Sequence, residues 1–353
     1  SAPMVCSTTE FSTALPQAGG YIIWVNTAFG PLLSMLNGLA NCLCNVCDCS
    51  LYPLLLTDYL HHALLPLLIP SSAQAGQSEW MRPVPDLPGT VLRLVFVGIA
   101  ACVNVMGVNV VGHAAGALML AVTLPFAALV CAAYGRPNAD PSVWVDTNPA
   151  LWPQSRDQWF SFLTLVLWNC SGYDSAGMVA AEVSSPRKSY PRALWGALAL
   201  TTLLYVLPLA ACVATTGDWR QWRGGQFTAL GSQLGGPLLA SALTAASVVS
   251  MSGVLCTLMC TTSRAIYAMA KLRMLPPSLA RLHPRFGTPW AAISLNATLV
   301  SIATTLLQFE ALLQLSMLFY AVNVLMQCGS IVRLRISHGH LPRADVRLPV
   351  LLM

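Results

Sequence analysis

Charged side chains are scarce in this chain. Of its 353 residues, 18 are Lys or Arg and 13 are Asp or Glu, together 9%, where a water-soluble domain carries about a quarter. A chain so poor in charge cannot cover itself with a solvated surface. That excludes a soluble enzyme, a nucleic-acid binder and a disordered protein. The net charge of +5 is spread thinly and forms no basic tract, so nothing in it is built to hold a nucleic-acid backbone. The sequence also lacks a His-Glu-x-x-His zinc motif. The Gly-x-Gly-Asp element that would make Tyr173-Asp174 half of an intramembrane aspartyl protease is missing too.

What is abundant is apolar: 56% of residues are hydrophobic and the mean hydropathy is +0.63. A membrane-spanning helix needs roughly 20 such residues in a row. Runs of that kind cover residues 28–60, 91–111, 114–134, 159–183, 193–216, 237–270, 289–307 and 311–336, after a partial run at 1–15. This predicts an all-α, polytopic membrane protein: one domain over 1–353, with eight full spans and an N-terminal partial one. Runs this long mean helices rather than a barrel.

Basic residues fall in alternate loops: Arg187, Lys188 and Arg192; Lys271, Arg273, Arg281 and Arg285; then Arg333, Arg335, Arg343 and Arg347. The intervening loops hold fewer, among them Arg82, Arg93, Arg136, Arg156, Arg220 and Arg223. They also carry the acids Glu79, Asp86, Asp140, Asp146, Asp157 and Asp218. By the positive-inside rule the first set is cytoplasmic and the second external.

Most of the twelve cysteines sit in apolar runs, where a thiol behaves as a small hydrophobe. Cys42, Cys44, Cys47 and Cys49 spread over about two faces of a helix, so packing is expected there rather than a metal, and no cofactor is expected. The chain starts at Ser1 and stops as 348–353 turns apolar again, so both ends read as cut.

The chemistry is concentrated in Leu167-Trp-Asn-Cys-Ser-Gly-Tyr-Asp-Ser-Ala-Gly177, in the middle of a span. An ionised Asp at mid-membrane costs at least about 2.5–3.5 kcal/mol on insertion scales, so Asp174 is expected to face a cavity or a partner. Gly172 and Gly177 weaken the helix at the same place. A broken helix of this kind lines the substrate site in secondary transporters; the plainer alternative is a kink in which Asp174 bonds a neighbouring Ser or Tyr. Asp48 and Tyr52 share a helical face, with Asn45 one turn earlier. Tyr320, Asn323 and Gln327 form a similar stripe in the last full span. Asp58 and Tyr59 mark the external end of their helix. Glu182, just before Ser184-Ser-Pro-Arg-Lys188, reads as a cytoplasmic gate residue or as a residue at the water boundary.

At these residues the chain resembles the amino acid–polyamine–organocation superfamily, closest to polyamine uptake and L-type amino-acid transporters of plants and trypanosomatids. The matching stretches are Glu10-Phe-Ser-Thr-Ala-Leu-Pro-Gln-Ala-Gly-Gly-Tyr21, Ser50-Leu-Tyr-Pro-Leu-Leu-Leu-Thr-Asp-Tyr59, the 167–177 segment with Ala181-Glu-Val-Ser-Ser-Pro-Arg-Lys188, and Thr262-Ser-Arg-Ala-Ile-Tyr-Ala-Met-Ala270 followed by Gly287-Thr-Pro289. The resemblance implies a LeuT-like fold of two inverted repeats. By the same likeness the chain lacks the first family helix, most of the second and the last two. It implies solute contact at Trp168 and Asn169, a proton-coupling carboxylate at Asp174, and cavity positions for Tyr52 and Tyr320; from the residues themselves, Gly172 at the break is expected to join the solute contacts and Asp48 to act as a second proton-coupling carboxylate.

A multivalent cation without a carboxylate suits such a cavity through charge pairing and cation–π contact. The expected function is therefore proton-coupled uptake of polyamines by a multi-pass plasma-membrane protein. Its partners would be a small cationic solute, the proton and the lipid bilayer, with no nucleic acid. A cationic amino-acid permease for arginine or lysine, and a truncated non-transporting sensor, are the alternatives.

Overall fold

The computed structural model describes residues 2–15, 17, 19–68, 87–136, 140–145, 152–183, 185–216, 222 and 226–337. Glu79, Arg82, Asp86, Asp146, Asp218, Arg220, Arg223, Arg343 and Arg347 lie outside the described residues.

Among the described residues there are ten α-helices and no strand: α1 (Ala2–Ala14), α2 (Gly20–Phe29), α3 (Pro31–Leu68), α4 (Leu87–Met106), α5 (Val108–Tyr134), α6 (Arg156–Asn169), α7 (Pro186–Thr216), α8 (Gln226–Lys271), α9 (Trp290–Leu306) and α10 (Phe309–Ser337). Three 3-10 segments join them, at Pro141–Val145, Tyr173–Glu182 and Pro277–Ala280. Six of the helices, within α3, α4, α5, α7, α8 and α10, are long and apolar enough to cross a membrane, and α9 is a shorter apolar helix. The run expected at 159–183 is split between α6 and the second 3-10 segment.

Two boundaries differ from the sequence expectation, and a third falls where it was expected. The run expected from residue 28 is cut at Gly30, which separates α2 from α3. The turn between the next two spans falls at Gly107, not at 112–113, because that residue leaves helical geometry (φ 121°, ψ 163°). In α8 the backbone breaks at Gly236 (φ 76°, ψ −173°), directly before Pro237. Proline lacks a backbone donor and pushes the preceding residue out of the helical region, so 226–235 is a separate short helix ahead of the long apolar one.

Helices α3, α4, α8 and α9 touch one another in every pairing, while α1 touches α7 and the Tyr173–Glu182 segment; α7 packs on α5, and the segment meets α2 and α8. Helix α10 lies along α3 and reaches α2 and α6. Large apolar side chains point outward on α4 (Val91, Val95, Ile99), α6 (Phe160, Leu163, Leu167) and α7 (Leu203, Val206). Apolar surface of this extent is what lipid covers. The interior also holds polar groups, including Thr8, Thr9, Ser12, Asn37, Asn45, Asp174, Asn296, Asn323 and Gln327.

Candidate functional site

The start of α6 is written in the sequence. Ser155 accepts a hydrogen bond from the backbone N–H of Gln158 at 3.2 Å, and the Gln158 side chain accepts one from the Ser155 N–H at 3.3 Å. This reciprocal cap satisfies two donors left over by the helix end, and Asp157 in the first turn complements the helix dipole. The other end stops abruptly. After Asn169 the chain turns through Cys170 and Ser171 to Gly172, whose φ of 94° is left-handed, a region glycine enters without steric penalty. From Tyr173 it resumes as a ten-residue 3-10 helix, far longer than the usual few residues of that tighter geometry.

That narrow segment is gripped from three sides. On α7, the Tyr190 hydroxyl donates to the Ala176 carbonyl at 2.6 Å. On α2, Gly20 and Trp24 press against Gly177 so closely that a methyl at 177 would lie 2.5 Å from the Trp24 ring. Trp24, fully buried, is stacked on Phe11 of α1 with centroids 4.6 Å apart and planes at 9°. On α10, Asn323 Nδ2 and Gln327 Nε2 both donate to Asp174 Oδ2, at 2.8 and 3.0 Å.

Asp174 is 1% exposed. Among the described residues its Oδ1 has no hydrogen-bond partner, nor do the neighbouring Tyr320 hydroxyl, Asn323 Oδ1, Gln327 Oε1 and the Tyr21 hydroxyl. No Lys or Arg pairs with it among the described residues. The helix therefore breaks where the sequence says, but the carboxylate is enclosed rather than open to a void. Its partners are amides on α10, not the adjacent Ser or Tyr of the plainer reading. The amides bring hydrogen bonds to the carboxylate but no compensating positive charge.

A second carboxylate sits less deeply. Trp168 Nε1 donates to Asp48 Oδ1 at 2.8 Å, tying the end of α6 to the middle of α3, and both residues are half-buried. The Trp168 ring meets Phe309 edge-on at 6.3 Å and joins an apolar cluster with Leu51, Leu313 and Tyr320. Tyr52 packs at the edge of a different cluster, against Val97, Leu255 and Val300. The structure thus brings together Asp48 with Trp168, and Asp174 with the Tyr320–Asn323–Gln327 stripe.

Other sequence candidates are placed elsewhere. Asn169 is exposed and its Nδ2 donates to the Leu165 carbonyl of its own helix at 2.9 Å. Gly172 is exposed, and a side chain there would meet nothing within 4 Å. Glu182 ends the 3-10 segment, and its side chain lies outside the described residues. Cys44-Asn-Val-Cys47 does have the two-residue spacing of redox and metal pairs. Here Cys44 Sγ faces Ser316 Oγ at 3.6 Å while Cys47 packs with Leu312 and Leu313. Among the described residues no three His, Cys, Asp or Glu side chains gather as a metal would require.

Two features escaped the sequence reading. The amide donors to Asp174 were visible as a stripe on α10, but nothing in the sequence joins residue 174 to residues 323 and 327. The Gly20–Gly177 contact had one signal, the paired glycines Gly19 and Gly20 beside aromatic residues.

A family model for amino acid permeases matches residues 1–353. A probable polyamine transporter of Arabidopsis thaliana is 30% identical over 357 residues, covering 99% of this chain and 68% of the relative. The polyamine transporter RMV1 of the same plant is 30% identical over 351 residues, with 99% and 67% covered. The polyamine transporter PUT1 of Oryza sativa subsp. japonica is 29% identical over 357 residues, with 99% and 61% covered. The chain spans about two thirds of the length of these relatives. With its broken helix, its apolar spans and this match along its whole length, the chain belongs to the amino acid permease family of the amino acid–polyamine–organocation superfamily, whose members are membrane transporters and not enzymes.

Proposed function

We propose that this chain is a single membrane domain of eight spans that takes up polyamines together with protons across the plasma membrane by alternating access. The observation that carries the reading is Asp174: a carboxylate at a helix break, 1% exposed, held by two amide donors and by no cation among the described residues. Such a group is poised to take a proton or a positive charge and to release it. In this reading Asp174 is the proton site and the half-buried Asp48–Trp168 pair is the cation contact. Tyr52 and Tyr320 line the route, Asn169 and Gly172 stand at the break, and Glu182 stands at the cytoplasmic exit near Arg187 and Lys188.

Two carboxylates without a basic partner among the described residues suit a di- or trication, and the relatives named as polyamine transporters support that substrate class. The membrane potential adds about 2.3 kcal/mol per charge per 100 mV, and about twice that for a dication moving inward.

Uptake of radiolabelled putrescine by cells expressing the protein tests the proposal. Saturable uptake driven by an inward proton gradient is expected, and Asp174→Asn should abolish it or uncouple it from pH. Normal, pH-dependent uptake by that variant refutes the assignment of Asp174. Arginine flux without putrescine flux identifies a cationic amino-acid permease instead, and no flux of either identifies a sensor.

A further inference from the structure

The connection between α8 and α9 has no part in the site described above. Four cations sit on or beside it, Lys271, Arg273, Arg281 and Arg285, and all four are exposed. The sequence has no Asp or Glu between Asp218 and Glu310. Among the described residues none of the four bridges a carboxylate, whereas Arg335 on α10 is paired with Glu10 through contacts of 3.2 and 2.6 Å. The contacts of two of them are with rings: Lys271 over Tyr267 at 5.6 Å and Arg285 over Phe286 at 5.5 Å.

Apolar side chains are interleaved with these cations. Leu272, Leu282, Phe286 and Trp290 are 37%, 48%, 41% and 40% exposed. The positive-inside rule explains why such a loop is cytoplasmic. It does not call for four unpaired cations in register with exposed leucines and aromatics, which is the pattern of a surface lying at a lipid headgroup layer.

The loop is also held in one shape. The His283 N–H donates to the Thr288 carbonyl at 2.8 Å, and the Gly287 N–H donates to the His283 carbonyl at 2.9 Å. The N–H groups of Arg285 and Phe286 both donate to His283 Nδ1, at 3.2 and 3.3 Å. Thr288 Oγ1 donates to the Val105 carbonyl at 2.7 Å, pinning the loop to the end of α4. A surface already ordered loses little entropy on binding. Both its ends enter apolar helices, so it lies permanently beside the leaflet surface.

We propose that this loop binds the headgroups of anionic phospholipids in the cytoplasmic leaflet, with Arg273, Arg281 and Arg285 on the phosphates and Leu282, Phe286 and Trp290 among the upper acyl carbons. Charge complementarity favours an anionic lipid. The exposed apolar side chains favour a membrane over an acidic protein segment, which would leave them in water.

The test titrates the purified protein in detergent with fluorescent phosphatidylserine or phosphatidylcholine. A juxtamembrane cation contributes on the order of fivefold to such binding, so a preference of tenfold or more for phosphatidylserine is expected, and it should fade in about 0.5 M salt, where the screening length is a few ångströms. The triple variant Arg273→Gln, Arg281→Gln, Arg285→Gln should lose the preference, while Arg136→Gln on the external side should keep it. Should the triple variant lose its monodisperse profile, the single variants Arg281→Gln and Arg285→Gln are read instead, each with a several-fold loss expected. Equal binding of both lipids, or an undiminished preference in the variants, overturns the proposal. So does competition by soluble glycerophosphoserine at lipid-like concentrations, which marks a free-phosphate site. Binding of polyglutamate in place of lipid also overturns it, by marking a protein partner.

Discussion

A single methyl group placed on Gly20 separates the backbone grip on the broken helix from every other feature of the fold. Built on the existing backbone, that carbon would lie 2.8 Å from the Gly177 carbonyl carbon, 3.0 Å from its oxygen and 3.0 Å from the Met178 nitrogen. All three are main-chain atoms, so no side-chain rotation relieves the clash. Overpacking of this kind costs about 1–3 kcal/mol. Gly20 also has a φ of 41°, and left-handed geometry costs a residue with a Cβ roughly 1–2 kcal/mol more. The expected loss for Gly20→Ala is therefore about 2–5 kcal/mol, or roughly 5–15 °C in melting temperature at a few degrees per kcal/mol. Melting of the detergent-purified protein, followed by intrinsic fluorescence, measures it. Gly196→Ala is the control: it lies in α7 with nothing within 4 Å of the new methyl, so it should match the parent or gain up to about 1 kcal/mol. If Gly20→Ala melts with the control, the contact between α2 and the 3-10 segment is not as close as described, and the grip has no energetic weight.

Two further outcomes follow from the site. Gln327→Leu removes one of the two donors to Asp174 Oδ2; a hydrogen bond to a charged group contributes about 1.5–3 kcal/mol, so the variant should melt lower than the parent, and an unchanged melting temperature would show that the Gln327 contact carries no energetic weight. Trp168→Phe keeps a ring beside Phe309 but loses the N–H that Asp48 accepts. On the proposed reading its KM for putrescine should rise roughly three- to tenfold, since Phe is the weaker cation–π partner, and an unchanged KM in uptake kinetics removes Trp168 from the solute path.

Hydropathy located the six helices long enough to cross a membrane, because a lipid-facing helix has no other way to satisfy its backbone, and Gly172 with Asp174 marked the break to within a residue or two. The boundaries at Gly30 and Gly107 were less legible. Apolar composition runs straight through each of them, and only the backbone angles show where the helix stops. The site was legible as a set of elements and not as a set of pairs. Asp48 and Trp168 are 120 residues apart, and Asp174 and Asn323 are 149 apart. Periodicity assigns each to a helical face but carries no information on which faces meet. Asn169 illustrates the same limit: it is polar and sits at the break, yet its side chain returns to its own helix, a local bond always open to Asn in a final turn.

The choice of partners around Asp174 bears on what the residue can do. An arginine in place of Gln327 would give a bidentate, permanently charged mate, since a guanidinium keeps its proton at any physiological pH. The carboxylate would then be locked in its ionised form, and breaking the pair would leave an uncompensated charge in the interior. Amides behave differently. Asn323 and Gln327 donate to one oxygen and leave the other without a partner, while their own carbonyl oxygens and the Tyr320 hydroxyl stay unused nearby. An amide can accept as readily as it donates, so the same stripe tolerates Asp174 with or without its charge. On the proposed reading, such partners fit a group whose charge changes during transport.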